Sequence, residues 1–239
     1  MKLNTDKTQM IVLGTRAMLR NLPPISISFC GTMIKEDRVV KNLGLTMDRH
    51  LSYENHVNTI TCKCTGILIA LSHARHVLPK STLATIVSSL VISILRYCMS
   101  VYGSCGVTQV RRLQKVVNFC ARVVTGRRRF DHISDAIELL GWQTAQCMID
   151  YHTVCVLERV IVTEQPRLLF ETIGQQANLV HNHFTRRSNE WTLPAIRTES
   201  GRRRLCYRGV SQLNRTGLNP GSYHFKTELK RTLSDIRED

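Results

Sequence analysis

Alternating apolar and polar positions characterise the first 50 residues. Ile25, Ile27 and Phe29 alternate with two serines, a period of two that is typical of a half-buried strand, and Gly31 supplies a turn after them. Short apolar runs at residues 10–13 and 39–47 indicate two further strands. The pattern therefore predicts a small antiparallel β region at the N-terminus.

Apolar positions from residue 52 onward repeat at the spacing of a helix. The stripes predict helices over residues 52–71, 81–101, 110–124, 132–140 and 144–162. Pro79 breaks the chain between the first two helices, and Gly126 ends the third. We therefore expect a helical bundle over residues 51–164.

The periodicity fades after residue 165. Prolines at positions 166, 194 and 220 interrupt polar, arginine-rich sequence, and the segment at residues 223–236 keeps an apolar face. The predicted fold class is mainly α with a small N-terminal antiparallel β remnant, an α+β chain. Its β part covers residues 1–50, the helical bundle follows, and an irregular basic extension covers residues 165–239.

The charge balance indicates a polyanionic partner. The chain has 33 Lys and Arg against 18 Asp and Glu, a formal net charge of +15 at pH 7. A basic surface binds nucleic acid because each phosphate that it neutralises releases a condensed counterion. We therefore expect RNA and DNA as partners; the alternative is a basic surface that serves solubility.

The cysteines and the N-terminus indicate an intracellular chain with reduced thiols. Nine cysteines is an odd number, and Met1 leads directly into polar and charged residues rather than into a signal peptide. The most apolar run, residues 83–95, is too short for a bilayer, which needs about 20 apolar residues, so no membrane contact is expected. Cys62 and Cys64 are too close together for the usual spacing of zinc ligands, and we expect no metal site.

Two groups of cations are candidates for phosphate contacts. The first follows one face of the third predicted helix and the segment after it, and the second lies in the extension. The first group is Arg111, Lys115, Arg122, Arg127, Arg128 and Arg129, and the second is Arg202, Arg203, Arg204 and Arg208. A solvated helix face is the alternative for the first group. Phe184, Trp191 and Tyr207 accompany the second group and either stack on unpaired bases or form a small core.

Four short strings resemble signatures of reverse transcriptases from non-LTR (LINE-type, Jockey-type) retrotransposons, and they occur in the same order. The first is Leu3-Asn4-Thr5-Asp6-Lys7-Thr8, and the second is Asn42-Leu43-Gly44-Leu45-Thr46-Met47-Asp48 with Leu51-Ser52-Tyr53-Glu54-Asn55-His56-Val57 after it. The third is Leu139-Leu140-Gly141-Trp142, and the fourth is Tyr207-Arg208-Gly209-Val210, followed by Asn214, by His224-Phe225-Lys226 and by Leu229-Lys230. They are spread from residue 3 to residue 230.

The resemblance implies a portion of a polymerase. Residues 1–50 are then the end of the palm with a hairpin like the primer grip, residues 51–164 a thumb-like bundle, and residues 165–239 a C-terminal extension. The fingers and the rest of the palm, which carry the metal-binding aspartates of the family, are expected to precede Met1 and to be partners of this chain. The implied ligands are an RNA template and a DNA primer, and the implied location is a ribonucleoprotein in nucleus and cytoplasm.

The resemblance also implies roles for two individual residues. Lys7 stands where polymerases of this family carry a lysine that protonates the pyrophosphate leaving group. Gly44 lies where a close approach of the backbone holds the end of the primer. The alternatives are an exposed lysine before a strand and an edge strand with a bulge glycine.

Catalysis by this chain alone is not expected. Two-metal phosphoryl transfer needs convergent carboxylates, and the adjacent acidic pairs Glu36-Asp37 and Glu238-Asp239 are interpreted as solvated charges. We therefore expect no enzymatic activity and no cofactor, with Mg²⁺ bound by the intact polymerase. The alternative function is a non-catalytic helical module for protein interaction, or the poorly folding product of a pseudogene.

Overall fold

The β region consists of two hairpins and one short additional strand. The computed structural model describes residue 4 and residues 7–173 and 190–236. The strands are β1 (Met10–Ile11), β2 (Ser26–Phe29), β3 (Thr32–Asp37), β4 (Val39–Asn42) and β5 (Leu45–Asp48). Strands β2 and β3 pair antiparallel, as do β4 and β5, whereas β1 adds to the other edge of β3 in parallel. A short helix, α1 (Arg16–Arg20), connects β1 to β2.

The apolar run at residues 39–47 forms the β4–β5 hairpin. Leu43 and Gly44 have φ angles of 47° and 84°, and these two positive angles make the tight turn that brings Asn42 opposite Leu45. Leu45 is buried and belongs to the same apolar core as the helices. The hairpin therefore attaches the β region to the helical part of the chain.

Helices make up most of the described chain, which confirms the predicted fold class. The bundle contains α2 (Glu54–Ala74), α3 (Lys80–Val87), α4 (Ser93–Arg96), α5 (Met99–Tyr102), α6 (Val107–Thr125), α7 (Ser134–Leu139) and α8 (Ala145–Thr163). The second predicted helix is divided. Helix α3 continues into α4 through a π-helical turn, Ser88–Ile92, and the chain then bends at Cys98, whose φ is 55°.

Helix α8 is the common wall of two apolar cores. The first core is formed by α2 to α7 with β5 and the start of α8, and the second lies between the rest of α8 and the helices that follow it. Met148 and Ile149 belong to the first core, whereas Val154 and Leu157 belong to the second. The bundle and the extension thus share a helix instead of having separate cores.

The extension is helical over much of its described length. It contains α9 (Arg167–Glu171), α10 (Glu199–Arg202), α11 (Leu205–Thr216) and α12 (Phe225–Asp235). Helices α11 and α12 pack on α8 through Val210 and Phe225, and α12 matches the final helix predicted from the sequence. The sequence-based prediction missed α11, whose buried face carries Gly209, Val210 and Leu213. A Cβ on Gly209 would meet Leu157 Cδ2 at 3.3 Å. The extension is therefore irregular over residues 190–198 and largely regular beyond them.

Candidate nucleic-acid interface

A cleft lined with cations runs between α2 and α6. These helices pack against each other, and beside their contact lie two adjoining hollows of about 390 and 300 Å³ that share Phe119. The larger hollow is lined by Ser72, Arg75, Phe119, Arg122, Val123, Arg127 and Arg129, and the smaller by Thr61, Thr65, Arg112, Lys115, Val116 and Phe119. We call the two together the α2–α6 cleft. Six of its lining residues are cationic and, among the residues that the structure describes, none is acidic.

The register of α6 places the predicted cations along one edge of this cleft. Arg111, Lys115 and Arg122 fall within about 40° of one another around a helix of 3.6 residues per turn. They lie opposite the buried Leu113 and Val117, as the sequence indicated. Arg111 and Lys115 are exposed, and Lys115 and Arg122 line the cleft. The stripe predicted from the sequence therefore borders the cleft on its α6 side.

Two cations and the aromatic side chain of the cleft were not predicted from the sequence. Arg112 Nη1 donates to Asn58 Oδ1 on α2 and lies 3.8 Å from Glu54 Oε1. Arg75, directly after α2, lines the larger hollow. Phe119 packs partly on the first core and lines both hollows. The pairing of α2 with α6 decides which of their residues face a cleft, and the sequence carries no signal for that pairing.

The segment after α6 is held in place by its own cations. Arg127 forms a bidentate ion pair with Asp135, and these hydrogen bonds lower the pKa of the carboxyl to about 2. Arg122 Nε donates to the carbonyl of Arg128 at 3.2 Å. The side chains of Arg128 and Arg129 are exposed. The charge of Arg127 is thus paired with a carboxylate, whereas Arg122 donates to a neutral carbonyl.

The second predicted group of cations does not extend the cleft. It lies near the start of α6, where a Cβ on Gly106 would meet Arg203 Nη1 at 3.3 Å. Helix α6 has 19 residues, so its two ends lie roughly 27 Å apart at 1.5 Å per residue. Arg202 and Arg204 are exposed at the first end, and the cluster from Arg127 onward is at the other. The structure therefore places the two groups at opposite ends of α6.

Arg208 is an internal residue, which corrects its prediction as a nucleic-acid contact. Its guanidinium donates to the carbonyl of Gly103, to that of Ser100 at 3.1 Å, and to Thr153 Oγ1 at 2.7 Å. Burial lowers its pKa, although the nearby carboxylate of Asp150 acts in the opposite direction. Because its donors point into the protein, Arg208 fastens α11 to α5 and α8.

Lys7 and Gly44 do not line the cleft. Lys7 is exposed in a short turn before β1, where its N–H donates to the carbonyl of Asn4 at 3.3 Å. Gly44 occupies the tip of the β4–β5 hairpin, and the hydroxyl of Tyr97 donates to the carbonyl of Leu43 beside it at 2.6 Å. Gly44 is therefore a turn glycine and not a bulge glycine within a strand.

The aromatic residues of the extension differ in their environments. Trp191 packs against the second core, and its backbone N–H and carbonyl both pair with the side chain of Asn214 at 2.9 Å. Of the two roles expected for it, stacking on unpaired bases or forming a small core, Trp191 fits the second. Tyr207 is half-buried in α11. Phe184 lies outside the residues that the structure describes.

The buried titratable side chains belong to the core. His56 Nδ1 accepts a hydrogen bond from the Thr46 N–H at 3.4 Å, its ring meets Tyr102 edge to face, and burial lowers its pKa. Burial raises the pKa of the Cys64 and Cys105 thiols to about 11. Within residues 7–173 and 190–236, no group of three or more His, Cys, Asp or Glu side chains is arranged to hold a metal ion. In the same part of the chain, no helix combines the length and the apolar character needed to span a membrane.

Comparison with known proteins gives no match: no family model, no curated protein and no solved structure matches this chain. A concave surface with six cations around an aromatic side chain can bind phosphates through charge and a flat ring through stacking.

Proposed function

We propose that this chain binds nucleic acid through the α2–α6 cleft, as the non-catalytic palm end, thumb and C-terminal extension of a non-LTR retrotransposon reverse transcriptase. The observation that carries the binding proposal is the lining of the cleft, where six Arg and Lys side chains surround one concave surface. Such a surface focuses its positive potential and attracts a phosphate backbone.

Ion pairs neutralise part of the charge of the cleft. Arg127 pairs with Asp135, and Arg112 lies 3.8 Å from Glu54. Within the described residues, Lys115 and Arg122 form no ion pair with a carboxylate. The cleft therefore keeps a net positive charge, and a phosphate backbone that neutralises it gains the free energy of counterion release.

The resemblance to non-LTR reverse transcriptases supports this choice of ligand. In such a polymerase the cleft would hold an RNA template and a DNA primer, and the fingers and the rest of the palm would be its partners and would bind Mg²⁺. Lys7 would act as a general acid in the intact enzyme, and this chain alone would have no nucleotidyl transfer activity. The complex would be a ribonucleoprotein in nucleus and cytoplasm.

Fluorescence anisotropy across a salt series tests the binding proposal. The probe is a labelled RNA of about 20 nucleotides, which exceeds the usual single-strand site of about 4–16 nucleotides. We expect the logarithm of the association constant to fall linearly with the logarithm of the salt concentration, with a slope of about −0.7 for each phosphate neutralised. An affinity that does not change with salt, or no binding at low salt, would contradict the proposal.

The polymerase origin has a separate test. The reading frame upstream of the Met1 codon is expected to encode the motif with two adjacent aspartates that hold the catalytic metals in this family. A frame without that motif would contradict the polymerase origin and would leave the binding proposal standing.

A second candidate function, protein interaction, is favoured by apolar side chains that the β region exposes. Leu13, Met18, Ile27 and Met33 are between 51% and 70% exposed, in a region that buries few side chains. Exposed apolar surface of this kind is typical of interaction sites. Size-exclusion chromatography separates the candidates: a monomer favours nucleic-acid binding, and an oligomer that Met33→Ser dissociates favours protein interaction.

A further inference from the structure

The larger hollow of the α2–α6 cleft is apolar at its base and cationic at its rim. Val123, which is 2% exposed, and the partly buried Phe119 form the base. Arg75, Arg122 and Arg129 form part of the rim. A site that binds only phosphates does not need an apolar base, because phosphates bind through cations and N–H donors.

The size of this hollow suits a small organic group. Its volume of about 390 Å³ lies within the range of about 300–1,000 Å³ that is typical of pockets for small ligands and cofactors. A flat, aromatic group that carries a phosphate would place its ring on Phe119 and its charge at the arginines. A nucleotide has both of these features.

A second aromatic side chain lies beside the hollow. Phe130 is 92% exposed, and the guanidinium of Arg129 lies 5.7 Å from the centroid of its ring. The ring of Phe130 does not pack in either of the two apolar cores. Because Arg129 also lines the larger hollow, Phe130 and Arg129 together present a stacking surface at its edge.

We infer that the larger hollow binds an unpaired nucleotide, with its base against Phe119 and its phosphate at the surrounding arginines, so that the preferred ligand is single-stranded RNA or DNA. This inference rests on the proposed function. In a duplex the faces of the bases are covered by their neighbours and only the backbone and the groove edges are accessible. An unpaired strand offers the face of each base, and aromatic side chains bind it without sequence preference.

Binding assays with three ligands of equal length test the inference. The ligands are oligo(dT), oligo(U) and a DNA duplex, each of about 20 residues, so that the strand exceeds the usual site of about 4–16 nucleotides. We expect both single strands to bind more tightly than the duplex. Equal affinity for single strands and duplex would overturn the inference.

Two variants of Phe119 assign the preference to the hollow. Phe119→Leu is expected to weaken single-strand binding by about 5-fold or more and to leave duplex binding unchanged, because stacking on an aromatic ring stabilises each bound base. Phe119→Tyr keeps the ring and should retain the preference. Tyr223→Leu, which removes a 96% exposed aromatic residue outside the cleft, is the matched control.

Photocrosslinking provides a readout that needs no variant, in case Phe119→Leu fails to fold. Oligo(dT) with 5-iodouracil at one position is irradiated with the wild-type chain, and the crosslinked peptide is identified by mass spectrometry. Crosslinks at Phe119 or Phe130 support the inference. Crosslinks confined to other parts of the chain overturn it.

The outcomes separate the inference from the proposed function. If neither single strands nor duplex bind at low salt, both fail. If all three ligands bind equally with a steep dependence on salt, and Phe119→Leu binds like the wild type, the inference fails and the proposed function stands.

Discussion

The guanidinium of Arg208 donates a hydrogen bond of 2.7 Å to the hydroxyl of Thr153, and this contact joins α11 to α8. The hydroxyl donates its own proton to the carbonyl of Ile149 at 2.7 Å, so its lone pairs face the arginine. Arg208 Nη2 also donates to the carbonyl of Ser100 in α5, and Nη1 donates to the carbonyl of Gly103 directly after α5. The side chain of Arg208 thereby connects α11 to both α5 and α8.

Replacing Arg208 should destabilise the fold. Arg208→Ala removes a buried cation and leaves three acceptors without their donor, so we expect a loss of about 3 kcal/mol in the free energy of unfolding. Arg208→Lys should recover only part of this loss, because an ammonium group does not reproduce the planar fork. Urea denaturation followed by circular dichroism measures both. Arg204→Ala, at an exposed position in the same segment, is the control and should change stability by no more than about 0.5 kcal/mol.

A pair of glycine substitutions tests the close packing of α5 on α8. A Cβ on Gly103 would lie 2.7 Å from Ile149 Cγ2 and 2.5 Å from the Met99 carbonyl oxygen, so Gly103→Ala should cost about 1–3 kcal/mol. Gly66 is exposed within α2, and a Cβ there meets nothing within 4 Å. Gly66→Ala should therefore stabilise the chain by about 0.5–1 kcal/mol through helix propensity. Thermal melts that show both substitutions shifting the midpoint in the same direction would contradict this packing.

Acidification should destabilise the fold through the buried His56 and the half-buried His152. Burial lowers the pKa of His56 and of His152 in the folded chain, whereas the unfolded chain binds these protons near pH 6.5. Below that pH the unfolded state therefore binds more protons than the folded state. The free energy of unfolding should be highest above about pH 6.5 and should fall as the pH drops. Denaturation between about pH 5 and pH 8 measures this slope. His56→Gln should flatten it; a variant with the wild-type slope would show that His56 does not contribute.

Removing an acid beside the cleft should strengthen binding. Asp135→Asn abolishes the negative partner of Arg127 and leaves a further uncompensated cation at the larger hollow. We expect tighter binding of RNA and a steeper dependence on salt, by about 0.7 in slope. Asp235→Asn makes the same change of charge at an exposed position on α12 and should have little effect. Equal gains for the two variants would indicate that net charge, rather than the cleft, determines the affinity.

Helical periodicity gave the correct position of α2, α6 and α8 because each is long and has a continuous apolar stripe. It missed α11, although Val210 and Leu213 lie at helical spacing beside Gly209, whose backbone approaches α8 closely. It also missed the division of the second helix at Cys98, since that break depends on a positive φ at a residue other than glycine. Local patterns therefore define long helices better than short ones that tertiary contacts stabilise.

The candidate interface was predictable only on its α6 side. The spacing of Arg111, Lys115 and Arg122 is a local property, and the structure keeps these residues on one side of the helix. Arg208 lies in the same arginine-rich stretch as Arg202 and Arg204. Its position on α11, however, directs its side chain into the protein. Whether an arginine contacts solvent or stabilises the core is decided by the packing of helices that are distant in sequence, which no local pattern encodes.

The most direct test of the α2–α6 cleft compares the salt dependence of RNA binding in two double variants. Arg111→Gln with Lys115→Gln removes two exposed cations at the edge of the cleft, and Lys41→Gln with Lys63→Gln removes two exposed cations elsewhere. If the cleft binds the phosphate backbone, the first pair should reduce the magnitude of the slope by about 1.4 and weaken binding, and the second pair should leave both close to wild type. Equal slopes for the two double variants would contradict binding at the cleft.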